Sequence, residues 1–350
     1  MRPDPSLAPL RLEIDGGALV DNWRTLARLS GSAACGAAVK ANGYGLGARD
    51  VVRRLAAAGC RDVFVATWAE AAAIADVAGV AISVLHGVRE EDLAVARTLP
   101  HVRPVLNTPQ QVRRWREAGA GPCDVMVDTG MNRLGITAGD IATGLLDGLG
   151  IETLMSHLAC ADEDSAMNRT QRDAFAALAG RTSARRMSLA NSAGVALGAD
   201  YAFDLTRPGL ALYGGVPRPE LGALIRPVAT LWAQILQRRT VRAGESVGYN
   251  ACWVAPEDRE VAIVNLGYAD GYWRGFSNAG TARLGEAVLP VLGRVSMDLT
   301  ALDVTALPDL AEGDWVAFDD DLPQAAERSG MSQYELLTGL GQRLERRWVR

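Results

Sequence analysis

From residue 35 to about 207, short apolar runs alternate with helix-length amphipathic segments, and that period leaves few ways to fold. The runs are CGAAVK (35–40), DVFVAT (62–67), ISVLHG (82–87), VRPVLN (102–107), DVMVDT (124–129), IETLMSH (151–157), RMSLAN (186–191) and FDLTR (203–207). Between them lie segments such as ARDVVRRLAAAG and TPQQVRRWREAG. Short apolar strands that are each followed by a helix predict parallel strands covered on both faces. A succession of eight predicts an α/β fold, a closed (β/α)8 TIM-type barrel, over residues 9–225. After residue 225 strand-like stretches with Gly, Pro and Asp turns predict a mostly β C-terminal domain over 226–350. LRLEID, about residues 9–15, precedes the first helix and is a candidate to pair with that second domain.

Composition narrows the function. The net charge is −5 and arginines are scattered among acids, with no basic tail or stripe, which argues against nucleic acid as a partner. The five cysteines are odd in number and form no CxxC, so they read as reduced core residues. No apolar run approaches the length of a membrane span, and the start of the chain has no long apolar segment, so the expected location is cytoplasmic. No cluster has metal-ligand spacing, and no metal is expected. His86 and His101 carry no chemistry in this reading.

Function in such a barrel gathers where strands end. Lys40 ends the first run, Asp128 and Arg133 follow the fifth, and His157 ends the sixth. Asn191 and Ser192 follow the seventh, and Arg207 ends the eighth. ANSAG and RPGLALYGG, after the last two runs, place small residues where these barrels commonly cradle phosphate on backbone N–H groups. Lys40 is also the only lysine in the chain. Arginine replaces lysine as a surface charge, but its guanidinium stays protonated and cannot attack a carbonyl, whereas an amine can. A lone lysine can also survive by drift, so the residue by itself leaves the choice open. Its neighbours favour chemistry, since Gly43, Gly45 and Gly47 permit close backbone approach and Tyr44 offers a hydroxyl. A phosphate cradle facing an imine-forming lysine points to pyridoxal 5'-phosphate.

The motifs AVKANGYGLG, VDTGMNRLGI, SHLACADE, ANSAG, RPGLALYG, VGYN, LGYADGYWR and GRVSMD run in order over nearly the whole chain. This series resembles the alanine racemases. The resemblance implies a pyridoxal-phosphate barrel followed by a β domain, acting on alanine as a head-to-tail homodimer with shared active sites. It implies that Lys40 holds the cofactor as an imine and is one catalytic base, with Tyr249 of the partner subunit as the other. Two bases are required, because inversion removes a proton from one face and returns one to the opposite face. A tyrosine with its ordinary pKa of about 10 is a poor base, and His157 and Arg207 match the residues that would favour its phenolate.

The resemblance further implies that Arg207 binds the pyridine nitrogen, while Tyr44, Ser192 and the backbones of Gly209 and Leu210 hold the phosphate. Arg133 and the backbone of Met297 would bind the substrate carboxylate, and Tyr268 and Arg274 would line the entry channel. Three positions depart from the pattern: Met126 stands where a carbamylated lysine often braces the substrate-binding arginine, Ser296 where cysteine is frequent, and Gln342 where some members have a tyrosine. A racemase for serine or lysine would share every motif. A barrel-type decarboxylase would need an acidic partner for the pyridine nitrogen, where this chain offers Arg207.

Overall fold

The computed structural model describes residues 8–119, 121–318 and 321–350. The chain divides into two compact units, one made of residues up to Ala18 together with Pro227–Arg350, the other of Leu19–Arg226. The first strand, β1 (Leu10–Asp15), belongs to the former unit, so the barrel unit begins at Leu19 rather than at residue 9.

The barrel strands are β2 (Ala34–Cys35), β3 (Ala37–Ala38), β4 (Asp62–Val65), β5 (Ala81–Val84), β6 (Val102–Leu106), β7 (Cys123–Met126), β8 (Ile151–Met155), β9 (Arg186–Ser188) and β10 (Leu205–Thr206). β3 to β9 form one parallel sheet in sequence order, and β10 pairs with β2. The ring closes through the Arg207 N–H to the Ala190 carbonyl and the Ala38 N–H to the Pro208 carbonyl, each 2.8 Å.

Alternate strand residues face inward and form layers. The floor is ionic. Arg186 holds Asp62 through two bonds of 2.7 and 3.0 Å, and Arg103 reaches Asp124, which also accepts from the Ser83 hydroxyl at 2.6 Å. Two residues further along each strand the layer becomes apolar, with Phe64, Val105, Met126, Met155 and Leu205 packed together. Two residues beyond Met126, Met155 and Leu205 stand Asp128, His157 and Arg207, and Lys40 stands two residues beyond Ala38 of β3.

The second unit contains β11 (Ala229–Val241), β12 (Arg259–Val264), β13 (Thr281–Leu284), β14 (Ala287–Leu292), β15 (Thr300–Asp303), β16 (Trp315–Phe318) and β17 (Glu345–Val349). Its sheet runs β12-β15-β14-β13-β16-β11-β1-β17, and β12 also pairs with β11, which closes six strands into a ring. β11 pairs with β16 through Leu231–Gln234 and with β12 from Ile235 to Val241, and the β12 pairing carries a register shift between Ile235 and Gln237. β1 lies antiparallel to β11 and parallel to β17.

Candidate active site

Past β3 the chain makes a turn of the wrong hand. Ala41, Asn42, Gly43 and Tyr44 have φ of 52, 54, 64 and 54°. For L-residues this region costs about 1–2 kcal/mol each, so the turn needs support. The Ala41 N–H donates to Glu70 at 2.7 Å, the Asn42 side chain accepts the Ala48 N–H at 3.0 Å, and the Asn42 carbonyl accepts the Gly47 N–H at 2.8 Å. Gly43 is required for space as well as angle, since a Cβ there would lie 3.0 Å from the Ala48 Cα. Lys40 sits at the head of this turn with access to solvent. The surrounding barrel wall and then the Arg133 charge lower its amine below the usual lysine range, while Glu70 pulls it upward.

The same turn carries Tyr44 towards the last two barrel loops. Ser192 Oγ accepts the N–H groups of Gly209 (2.9 Å) and Ala211 (3.1 Å), and the Asn191 side chain accepts the Gly194 N–H at 2.8 Å. A Cβ on Gly209 would fall 2.2 Å from Tyr44 Oη. Two hydroxyls thus converge on a stretch of backbone N–H groups whose residue must lack a side chain, which is a donor set suited to a phosphate monoester.

Arg207 is buried. It donates to the Ser156 carbonyl at 2.6 Å and to the Ser188 hydroxyl, and burial lowers its pKa to about 10. Its flat cation is held by neutral acceptors, which suits an aromatic ring nitrogen. His157 is half-buried. Burial, then the charges of Arg207, Arg133 and Lys40, lower its pKa to about 3, so the imidazole is neutral at physiological pH. Of the pair invoked for a cationic field, Arg207 supplies the charge. Arg133 is exposed on a loop that Asp128 shapes by accepting the Gly130 and Asn132 N–H groups at 2.8 and 3.1 Å.

The β unit holds the remaining residues. Tyr249 follows Gly248 (φ 76°) and precedes Asn250 (φ 63°), and this sharp bend leaves its side chain 67 % exposed. It borders a cavity of about 470 Å³ lined also by Arg239, Arg294 and Leu299. The Ser296 carbonyl accepts the Tyr268 N–H at 3.0 Å, which turns the Met297 N–H of the same trans peptide the other way. The Arg274 guanidinium lies over the Tyr268 ring, 5.1 Å from its centroid.

Two family models match the chain: the N-terminal domain of alanine racemase over residues 14–217 and its C-terminal domain over 228–348. The chain is 45 % identical to the alanine racemase of Acidiphilium cryptum, over 96 % of this chain and 97 % of that protein. The chain belongs to the alanine racemase family. It is also 41 % identical to the biosynthetic alanine racemase of Agrobacterium fabrum, over 98 % and 94 % of the two chains. The crystal structure of the Bartonella henselae alanine racemase, which carries covalently bound pyridoxal phosphate, superposes with a TM-score of 0.91 at 33 % identity, over 98 % of this chain and all of that one. That of the Pseudomonas aeruginosa biosynthetic alanine racemase gives 0.90 at 32 %, over 98 % and 100 %.

For this alanine racemase family member the structure adds residues that sequence reading passed over. Glu70 ties the helix after β4 to the Lys40 turn. Ser188 holds Arg207. Arg343 grips the fully buried Asp270 with bonds of 2.7 and 2.9 Å and reaches Asp298 at 2.7 Å, joining the loop of Tyr268 to the loop of Met297. The threonine-to-glutamate spacing at Thr67 and Glu70 was a visible capping signal. Nothing local marks Arg343, whose partners lie 45 and 73 residues away.

Proposed function

We propose that this chain interconverts L- and D-alanine with pyridoxal 5'-phosphate, as a cytoplasmic homodimer that supplies D-alanine for peptidoglycan. One observation carries the reading: Lys40 and the anion cradle are built from a single turn, Tyr44 reaching Gly209 four residues after the only lysine. Tyr44, Ser192 and the backbones of Gly209 and Leu210 would hold the phosphate, Arg207 would meet the ring nitrogen, and His157 would lie alongside. When bound, the cofactor supplies an aldehyde for Lys40 and a conjugated ring that stabilises negative charge at the substrate Cα.

The residues then divide the work. Arg133 and the Met297 N–H fix the substrate carboxylate. Lys40 exchanges a proton with Cα on one face and Tyr249 on the other, so the proton returns with inverted configuration. The direction of the Lys40 shift suits this, because burial and the Arg133 charge favour the free amine that a base needs. Arg207 would hydrogen-bond the ring nitrogen while keeping its own proton, so the ring would draw off less charge and return of the proton to Cα would be favoured over side reactions. Tyr268 and Arg274 line the way in. Tyr249, Met297, Leu299 and Val254 are 67, 54, 41 and 52 % exposed, and this apolar surface supports a partner barrel covering it. All five cysteines are unpaired, in keeping with a reducing compartment. Among the described residues no helix is long and apolar enough to cross a membrane.

The deciding experiment is incubation of the purified, cofactor-loaded protein with D-alanine and with a panel of L-amino acids, followed by chiral product analysis. L-alanine as the fastest product supports the reading. Faster turnover of serine or lysine, or release of carbon dioxide, overturns it.

A further inference from the structure

Glu70 occupies a position that helix capping alone does not explain. Its Oε2 accepts the N–H groups of Ala66 (2.7 Å) and Thr67 (3.3 Å), while Thr67 Oγ accepts the Glu70 N–H at 3.2 Å, completing a capping box. Its Oε1 is left for the Ala41 N–H at 2.7 Å, the amide that directly follows Lys40. One carboxylate therefore joins the end of β4 to the head of the left-handed turn. That turn has three non-glycine residues at positive φ, an arrangement that persists only when its surroundings over-determine it.

We propose that Glu70 is a positioning residue for the Lys40 amine, fixing its direction through the Ala41 amide. The proposal rests on the reading that Lys40 binds the cofactor. Among the described residues, the charges that act on Lys40 are Arg133 on the loop after β7, which disfavours the ammonium, and Glu70, which favours it, while Lys40 in turn acts on His157 after β8. Removing the Glu70 charge leaves Arg133 unopposed, so the amine binds its proton less tightly.

The single lysine makes this directly measurable. The full-length protein, stripped of cofactor, is reductively methylated with 13C-formaldehyde, which labels only Lys40 and the α-amine at the N-terminus. The two resonances are titrated in the parent, in Glu70→Gln and in Glu70→Asp. Glu70→Gln should move the Lys40 midpoint to lower pH and leave the α-amine in place. Glu70→Asp keeps the charge but is too short to span both contacts, so its midpoint should stay near that of the parent. In the cofactor-loaded enzymes both variants should lose roughly tenfold in kcat, with KM for alanine within about twofold, as a displaced catalytic group does. Lowered thermal stability with an unmoved midpoint and unchanged kcat would reduce Glu70 to a helix cap and overturn the proposal. If Glu70→Gln does not fold, an unchanged kcat in Glu70→Asp overturns it. Borohydride reduction of the loaded parent separates the two levels: cofactor mass away from the Lys40 peptide defeats the functional reading, whereas mass on that peptide with unresponsive Glu70 variants defeats only the role of Glu70.

Discussion

Tyr44 lies stacked on Tyr213, their ring centroids 4.5 Å apart and their planes 20° from parallel, and the Tyr213 hydroxyl donates to the Ala38 carbonyl at 2.9 Å. Tyr44 therefore cannot swing aside without breaking a buried stack anchored to β3. Gly209→Ala drives a methyl into Tyr44 Oη, and overpacking of this kind costs about 1–3 kcal/mol. Cofactor affinity should fall about 5- to 150-fold. Titration of the cofactor-free variant with pyridoxal phosphate, followed by absorbance, checks this, and unaltered binding would remove Gly209 from the cradle.

Tyr249→Phe should keep the cofactor and lose about 10²–10⁴-fold in racemisation, the range typical of a general base. Mixed with Lys40→Ala, it should regain activity through one intact site per heterodimer. No recovery after proven subunit exchange would defeat the shared-site arrangement.

His157 couples stability to acid. Its folded pKa of about 3 lies below the ordinary value of about 6.5. Between these values the unfolded chain binds a proton that the folded chain refuses, so unfolding is favoured as pH falls. The stability that neutral His157 contributes is fully present above about pH 6.5 and is lost progressively towards pH 3. Denaturant unfolding of the cofactor-free protein should show this slope, and His157→Asn should flatten it.

Met126 is packed against Phe64, Val105, Met155 and Leu205, so this position offers no carbamate to brace Arg133. Racemisation should be indifferent to bicarbonate, measured as initial rate with and without it in carbonate-free buffer. Met126→Lys places an amine in the apolar layer and should cost about 2 kcal/mol or more in stability. It should also make activity respond to bicarbonate. Bicarbonate dependence of the parent would contradict the argument.

The alternation of apolar runs and helices was legible because a strand covered on both faces is mostly apolar and keeps a polar residue only where a partner meets it, as Arg186 meets Asp62. DVFVAT, for example, contains β4, Asp62–Val65. Such runs overshoot the sheet by a residue or more, as at Asn107, His157 and Arg207, because the chemistry begins where the ladder stops. The Lys40 end of the site was legible from one residue type and its glycines. The pairs that hold it were not. Arg186 and Asp62 are 124 residues apart, and Ser188 beside Arg207 looks like any strand serine. Glu70 carries a capping signature that says where a helix begins but not that a spare oxygen serves Lys40.

The ionic floor and the apolar layer above it give the barrel a closed end. If Lys40 exchanges the substrate proton as proposed, solvent hydrogen would reach it from the end opposite that floor. In heavy water, the fraction of deuterium carried into product should then follow the proposed bases, Lys40 and Tyr249, and be blind to Arg103, Asp124 and Arg186. The isotope would thus count how often a proton escapes through the mouth before it is handed back.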